Sequence, residues 1–188
     1  MSIIEQAKAF VTDFFEKNHK PIYTYHNIEH TENVVKHATK IASIMEFSEE
    51  DLEVVILAAW FHDAGYFKGF MKHEIISGEI AEKFLIENNY SEQKIQRVIC
   101  AIQNTKIPYT ACECKISMVL CDADLQHLAS KNFMKSSDSL REENREMHEL
   151  FLILKSSNAT LEDRASAMQA INNKYGHYLP NLLSEKDS

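Results

Sequence analysis

Glycine and proline are scarce in this chain, with 4 Gly and 3 Pro in 188 residues. So little turn chemistry argues against a many-stranded β fold, which must reverse direction every few residues, and in favour of long helices. An excess of positive charge is also missing: 20 Lys and Arg face 28 Asp and Glu, for a net charge of -8. That balance disfavours a nucleic-acid polymer or an anionic membrane as partner, yet a small anionic substrate can still be held by a metal or a local basic pocket. No apolar run approaches the ~20 residues of a membrane span. The opening MSIIEQAKAF carries an acid and no basic leader, so it reads as a first helix and not an export signal, and the expected location is cytoplasmic. Cysteines are few, at Cys100, Cys112, Cys114 and Cys121, with no C-x-x-C pair among them. The spacing argues against a structural zinc site and for free thiols, with Cys100 and Cys121 behaving as small apolar residues inside helical runs.

What is abundant is apolar surface, at 45% of residues, enough to bury a sizeable core in one compact domain spanning 1–188. The apolar positions recur at helical spacing. SIIE is a capping box, with Ser2 and Glu5 placed to satisfy each other's backbone, followed by Ile4, Ala7, Val11, Phe14 and Phe15 on one face. A second helix starts at the N-cap Asn27 and runs to about Glu46; a third is capped by Ser48, with Asp51 three residues later. Further helices are expected over about 73–89, 91–104 with Ser91 as cap, 114–130, 132–156 and 160–176. With no β alternation, repeat or linker, the fold class is all-α, a bundle of about seven or eight helices. The last two are expected to be packing helices, the first of them with Phe133, Leu140, Met147, Leu150 and Leu154 on one stripe.

One stretch breaks the pattern. AAWFHDAGY, residues 58–66, ends an almost unbroken apolar run with His62 and Asp63. Adjacent helical side chains point about 100° apart, so the two can share a target only where the helix is ending, for which Gly65 is a natural place. A metal would want such a point. YTYHNIEHTENVVKH, residues 23–37, offers His26 and His30, four apart and able to face one side at a helix start. SMVLCDADLQHLA, residues 117–129, puts Asp122 and Asp124 into a helix apolar nearly all round, where an unpaired carboxylate is expensive without a cation. Asp124, between Leu120 and Leu128 on the wheel, is the better inward candidate, but the pattern leaves both open.

Taken in order, His30, His62-Asp63 and Asp124 resemble the signature of the HD superfamily of metal-dependent phosphohydrolases, with a metal-site core over about residues 20–130. YHNIEHT is further similar to the Y-H-N-x-x-H motif of the class I cyclic nucleotide phosphodiesterases. The resemblance implies His30, His62, Asp63 and Asp124 as metal ligands, favouring Asp124 over Asp122. It also implies His26 as general acid, and Asp63 as a bridge toward a second metal. It implies a divalent ion (Mn, Fe, Mg, Zn or Ni), one or two per chain. The expected substrate is a nucleotide or similar small phosphate ester, hydrolysed as a diester or a monoester.

His73 sits where some two-metal relatives supply a further ligand, and it is a candidate for a second metal or a phosphate contact. Lys68, Lys72, Lys106 and Arg141 are candidates to hold phosphate oxygens. His37, His127, His148 and His177 are read as structural or surface residues, and Tyr66 as a pocket wall. Two other functions use such scaffolds: a di-iron oxygenase, which would need His73 and further histidines, and a non-catalytic module that binds a nucleotide and signals to a partner.

Overall fold

The computed structural model describes residues 1–18, 20–68, 72–106 and 114–175, without the side chains at 146, 147, 151 and 171–175. His177, Cys112 and the Met147 side chain therefore lie outside the described residues. Every regular element described is helical: α1 Ile3–Asn18, α2 Ile28–Ile44, α3 Glu49–Phe61, α4 His73–Glu87, α5 Glu92–Gln103, α6 Lys115–Asp124, α7 Phe133–Lys155 and α8 Leu161–Tyr175. Short 3-10 turns follow α3 at Ala64–Lys68 and α6 at Leu125–Ala129. No described helix is long and apolar enough to cross a membrane.

The chain starts as its capping box dictates. Ser2 N–H donates to Glu5 Oε2 at 2.7 Å and Glu5 N–H to Ser2 Oγ at 3.2 Å. Ser48 accepts from Asp51 N at 3.1 Å at the start of α3, and Asn27 accepts from His30 N at 3.1 Å at the start of α2. Ser91 stands at the N-cap of α5 but its side chain makes no capping bond.

The nearly all-apolar second half of α3 becomes the axis of the molecule. Residues Val54 to Phe61 are all buried, and α1, α2, α4, α5 and α6 pack around them. A helix enclosed on every side is uniformly hydrophobic, which is why α3 shows no amphipathic periodicity while α5, open to solvent on one face, shows it strongly. Beside this core α7 packs on the turn after α6, and α8 packs on α7.

Three local expectations need correction. The helix expected over 114–130 stops at Asp124 and tightens into a 3-10 turn, with Leu125 N–H reaching the Ala123 and Cys121 carbonyls. The doublet's helix ends at Phe61, ahead of Gly65, which lies within the following 3-10 turn. The cysteines described are not core residues: Cys100 is exposed, and Cys114 and Cys121 are half-buried beside Asn104 and the start of α6.

Candidate metal centre

The helix ends converge on one point. Asn27, capping α2, fixes the first turn that carries His30. His62 forms the C-cap of α3 with Asp63 next in the turn, and Asp124 is the last residue of α6. Asp122 is exposed on the far side of the same helix. His30 Nε2 lies 3.3 Å from Asp63 Oδ2 and 3.1 Å from Asp124 Oδ1; His62 Nε2 lies 3.1 and 3.7 Å from the same two oxygens. Ligand atoms of His30, His62 and Asp124 all fall within 4.8 Å of one another.

Hydrogen bonds decide which atoms face inward. His62 is fully buried and its Nδ1–H donates to the Ala59 carbonyl at 2.8 Å, so in the neutral ring the Nε2 lone pair points into the cluster. Asp63 Oδ2 is buried and, despite the two nearby imidazole nitrogens, has no partner in hydrogen-bonding geometry. A buried carboxylate oxygen without a partner costs several kcal/mol, on the order of 1–3 even for a neutral group. Ligand atoms of His30, His62 and Asp124 thus meet around one point, with Asp63 Oδ2 within 3.3 Å of both imidazoles, and this donor set fits a divalent cation: two neutral imidazoles and two carboxylates bring the total charge to about zero.

Protons can occupy the same point. In the metal-free site burial works against the charged form of His62, but the Asp63 and Asp124 carboxylates outweigh it and hold the imidazole well above its ordinary value. His30 is raised by the same balance. Burial likewise pushes Asp63 and Asp124 up, and the paired histidines outweigh it, leaving Asp63 well below and Asp124 below the usual carboxylate range. Raised histidines stabilise the fold below their ordinary value of about 6.5 and lose that contribution as pH rises through the folded value. Depressed aspartates do so above about 3.8 and lose it on acidification. The metal-free protein is thus most stabilised by this cluster between about pH 4 and 6.5, while a cation must displace the histidine protons. Apparent metal affinity is expected to climb with pH by up to about tenfold per unit for each displaced proton, levelling off above the raised histidine values. Calorimetric titration of Mn or Zn over a pH series checks this, and a flat profile would contradict it.

His26 stands beside the cluster and not in it. Its ring stacks on Tyr66, centroids 3.8 Å apart and 12° from parallel, and lies 5.8 Å from the His30 ring. Its Nδ1 makes a short hydrogen bond to Glu143 Oε1, while Glu143 Oε2 accepts from the backbone N–H of Tyr25 at 2.9 Å and of His26 at 3.0 Å. Glu143 is buried and comes from α7, the region read from sequence as packing alone. Its position carried a signal: 140, 143, 147, 150 and 154 follow the heptad-like stripe, and 143 puts a carboxylate where the stripe asks for an apolar residue.

Tyr66 closes the other wall. Burial, and then the Asp63 and Glu143 charges, push its phenol well above the ordinary value, so it stays neutral. His73 is brought into the site: its Nε2 lies 3.6 Å from Asp63 Oδ1, its Nδ1 3.7 Å from Glu74 Oε1, and its ring 4.2 Å from Tyr66. His127, read as structural or surface, hydrogen-bonds the Tyr25 hydroxyl through Nδ1 at 2.7 Å, and the Tyr25 ring lies 4.6 Å from His30. The other phosphate candidates stay outside. Lys72 and Lys106 are exposed, Lys68 lies over the Phe67 ring, and Arg141 pairs with Asp138 on the surface. His37 is half-buried and His148 is exposed. Lys131 and Lys135 instead stand on the wall of a cleft of about 430 Å³ that also meets His30 and Asp124.

Comparison with known proteins agrees with this geometry. Residues 27–128, more than half of the chain, match the family model of the HD domain, a span that holds His30, His62, Asp63 and Asp124 and leaves out His26 and Glu143. Among curated proteins no match is found. Among solved structures, a predicted HD superfamily hydrolase from an uncultured Thermotogales bacterium shares the fold, with a TM-score of 0.59 and 21% identity over 88% of this chain and 83% of that one. Helix ends that deliver the histidines and aspartates in this order, together with the family match across them, make the chain a member of the HD domain family.

Proposed function

We propose that the protein is a metal-dependent phosphohydrolase acting on a nucleotide or similar small phosphate ester, as a phosphodiesterase or a phosphatase. The observation that carries the reading is the buried, partnerless Asp63 Oδ2 among inward-facing imidazole lone pairs, an arrangement that only a cation or protons can neutralise. A divalent ion held by His30, His62, Asp63 and Asp124 would supply Lewis acidity, lowering the pKa of the attacking water from 15.7 toward about 7 and drawing charge off a phosphate oxygen.

The chain's own contribution is proton delivery and orientation. As water oxygen bonds to phosphorus, the phosphorus–oxygen bond to the leaving group breaks and the departing alkoxide needs a proton. His26 can donate it from Nε2 while Nδ1–H stays bonded to Glu143, which fixes the ring's tautomer and, through two backbone N–H groups, the loop that carries it. Stacking on Tyr66 restricts the remaining rotation of the imidazole. Glu143→Gln is expected to lower kcat by about 10–100-fold with metal content unchanged. It should also cost about 1–3 kcal/mol of stability, because a carboxamide cannot accept from all three donors that the carboxylate serves. Loss of metal in this variant would contradict a role confined to His26.

The reading is tested by elemental analysis of freshly purified protein, paired with a panel of cyclic nucleotides, nucleoside mono- and triphosphates and bis-p-nitrophenyl phosphate, with and without Mn. Activity that falls with chelator and returns with Mn supports it, and full activity after complete metal removal refutes it. His73 beside Asp63 supports a second reading, the di-iron oxygenase, which would declare itself as bound iron with oxygen consumption and no phosphate release. Stoichiometric metal and nucleotide binding without either reaction would favour the non-catalytic module.

A further inference from the structure

The cleft that ends on His30 and Asp124 is far larger than a phosphate group. At about 430 Å³ it has the size of a small-molecule site, so a substrate whose phosphate lies at the metal centre has room for a body beyond it. Its chemistry limits what that body is. The walls are polar, with Asn33, Gln126 and Ser136 among them, and Tyr25, the one Phe, Tyr or Trp ring on them, is already engaged with His30 and His127.

The cleft walls also carry Lys131 and Lys135, both exposed and neither in an ion pair among the described residues. The chain as a whole has a net charge of -8, yet these two cations share one cleft with the metal-site residues His30 and Asp124. Between them begins α7, whose first turn has no side-chain cap. Among the described residues, the carboxylates on the cleft walls are Asp124 and the exposed Glu29 of α2.

Building on the phosphohydrolase reading, we propose that this cleft takes a substrate with a second anionic group: a polar small molecule carrying two phosphates, one at the His30/Asp124 end and the other on Lys131 and Lys135. The chemistry that recognises it is the pair of separated anions, and the group joining them, sugar or nucleoside, is left to experiment.

The test compares binding within matched pairs by calorimetry: fructose 1,6-bisphosphate against fructose 6-phosphate, and adenosine 3′,5′-bisphosphate against adenosine 5′-monophosphate. It uses the full-length protein and its Lys131→Gln/Lys135→Gln variant, and both are assayed for hydrolysis of bis-p-nitrophenyl phosphate, which has no second anion. The bisphosphate of at least one pair is expected to bind wild type about tenfold or more tightly than its monophosphate, with the ratio falling toward one in the variant and in high salt. Which pair shows the ratio tells sugar from nucleoside. Equal affinities within both pairs, or a ratio unchanged in the variant, overturn the proposal. Failure of bis-p-nitrophenyl phosphate hydrolysis in wild type with Mn would instead count against the phosphohydrolase reading, and the calorimetric ratio would still decide whether the subsite exists.

Discussion

His62→Ala is expected to lose bound metal and to drop turnover by well over about 100-fold, because loss even of a group that only orients a metal ligand costs 10–100-fold. Two features make His62 the most exposed point of the design. Its side chain is completely buried, so no water can take its place without leaving the Ala59 carbonyl short of its donor, and its Nε2 touches both carboxylates. Asp63→Ala should behave alike, since Asp63 lies between His30, His62 and His73. His26→Ala should keep its metal and lose turnover by about 10²–10⁴-fold, the range for a missing general acid. Elemental analysis alongside kcat separates the two classes, and circular dichroism shows whether each variant is folded. Equal metal loss in His26→Ala would make it a ligand and sink the general-acid assignment.

The position of the doublet was legible in the sequence because the anomaly was local. A charged doublet closing an apolar run has no cheap burial without a partner, and two histidines at i and i+4 behind an Asn cap define a helix start. Both statements depend on neighbours in the chain, and both elements formed where the caps place them. The choice between Asp122 and Asp124 depended on which face of α6 turns inward, and the helical wheel already leaned to the residue that the structure turns toward His30 and His62, leaving Asp122 exposed.

What stayed hidden depended on long-range packing. Glu143 reaches Tyr25 and His26 from more than a hundred residues away, and although its place on the apolar stripe set it apart, nothing in the sequence names the partners it meets. His127 is placed by α6 ending at Asp124. As a continuous helix through 130 the segment would aim that ring elsewhere, and no Gly or Pro marks the break. Lys131 and Lys135 were passed over for a related reason: they reach the cleft through the turn after Asp124, which the sequence does not mark.

Gly65→Ala is expected to be the most damaging single-methyl change in the molecule. A Cβ at this position would stand 2.3 Å from the His73 carbonyl oxygen and 2.8 Å from the Ser77 backbone nitrogen, and neither atom belongs to a flexible side chain that can swing away. The start of α4 would have to retreat, breaking the 2.8 Å hydrogen bond from Gly65 N–H to Ser77 Oγ and carrying His73 away from Asp63. Overpacking against backbone falls at the upper end of the usual range, about 3 kcal/mol, which in a chain of this size lowers Tm by roughly 6–12 °C. Gly78→Ala supplies the internal control. Gly78 is buried within α4, but its Cβ would meet Ile99 Cγ2 at 3.3 Å and Gln103 Nε2 at 3.9 Å, both side-chain atoms that can give by a few tenths of an ångström. Alanine gains up to about 1 kcal/mol over glycine in a helix interior, so this variant should melt within a few degrees of wild type. Thermal unfolding of the two metal-free variants checks the argument. A Gly65→Ala shift no larger than that of Gly78→Ala would mean that α4 yields freely, and that the close seating of His73 on the doublet is not held by the Gly65 contact.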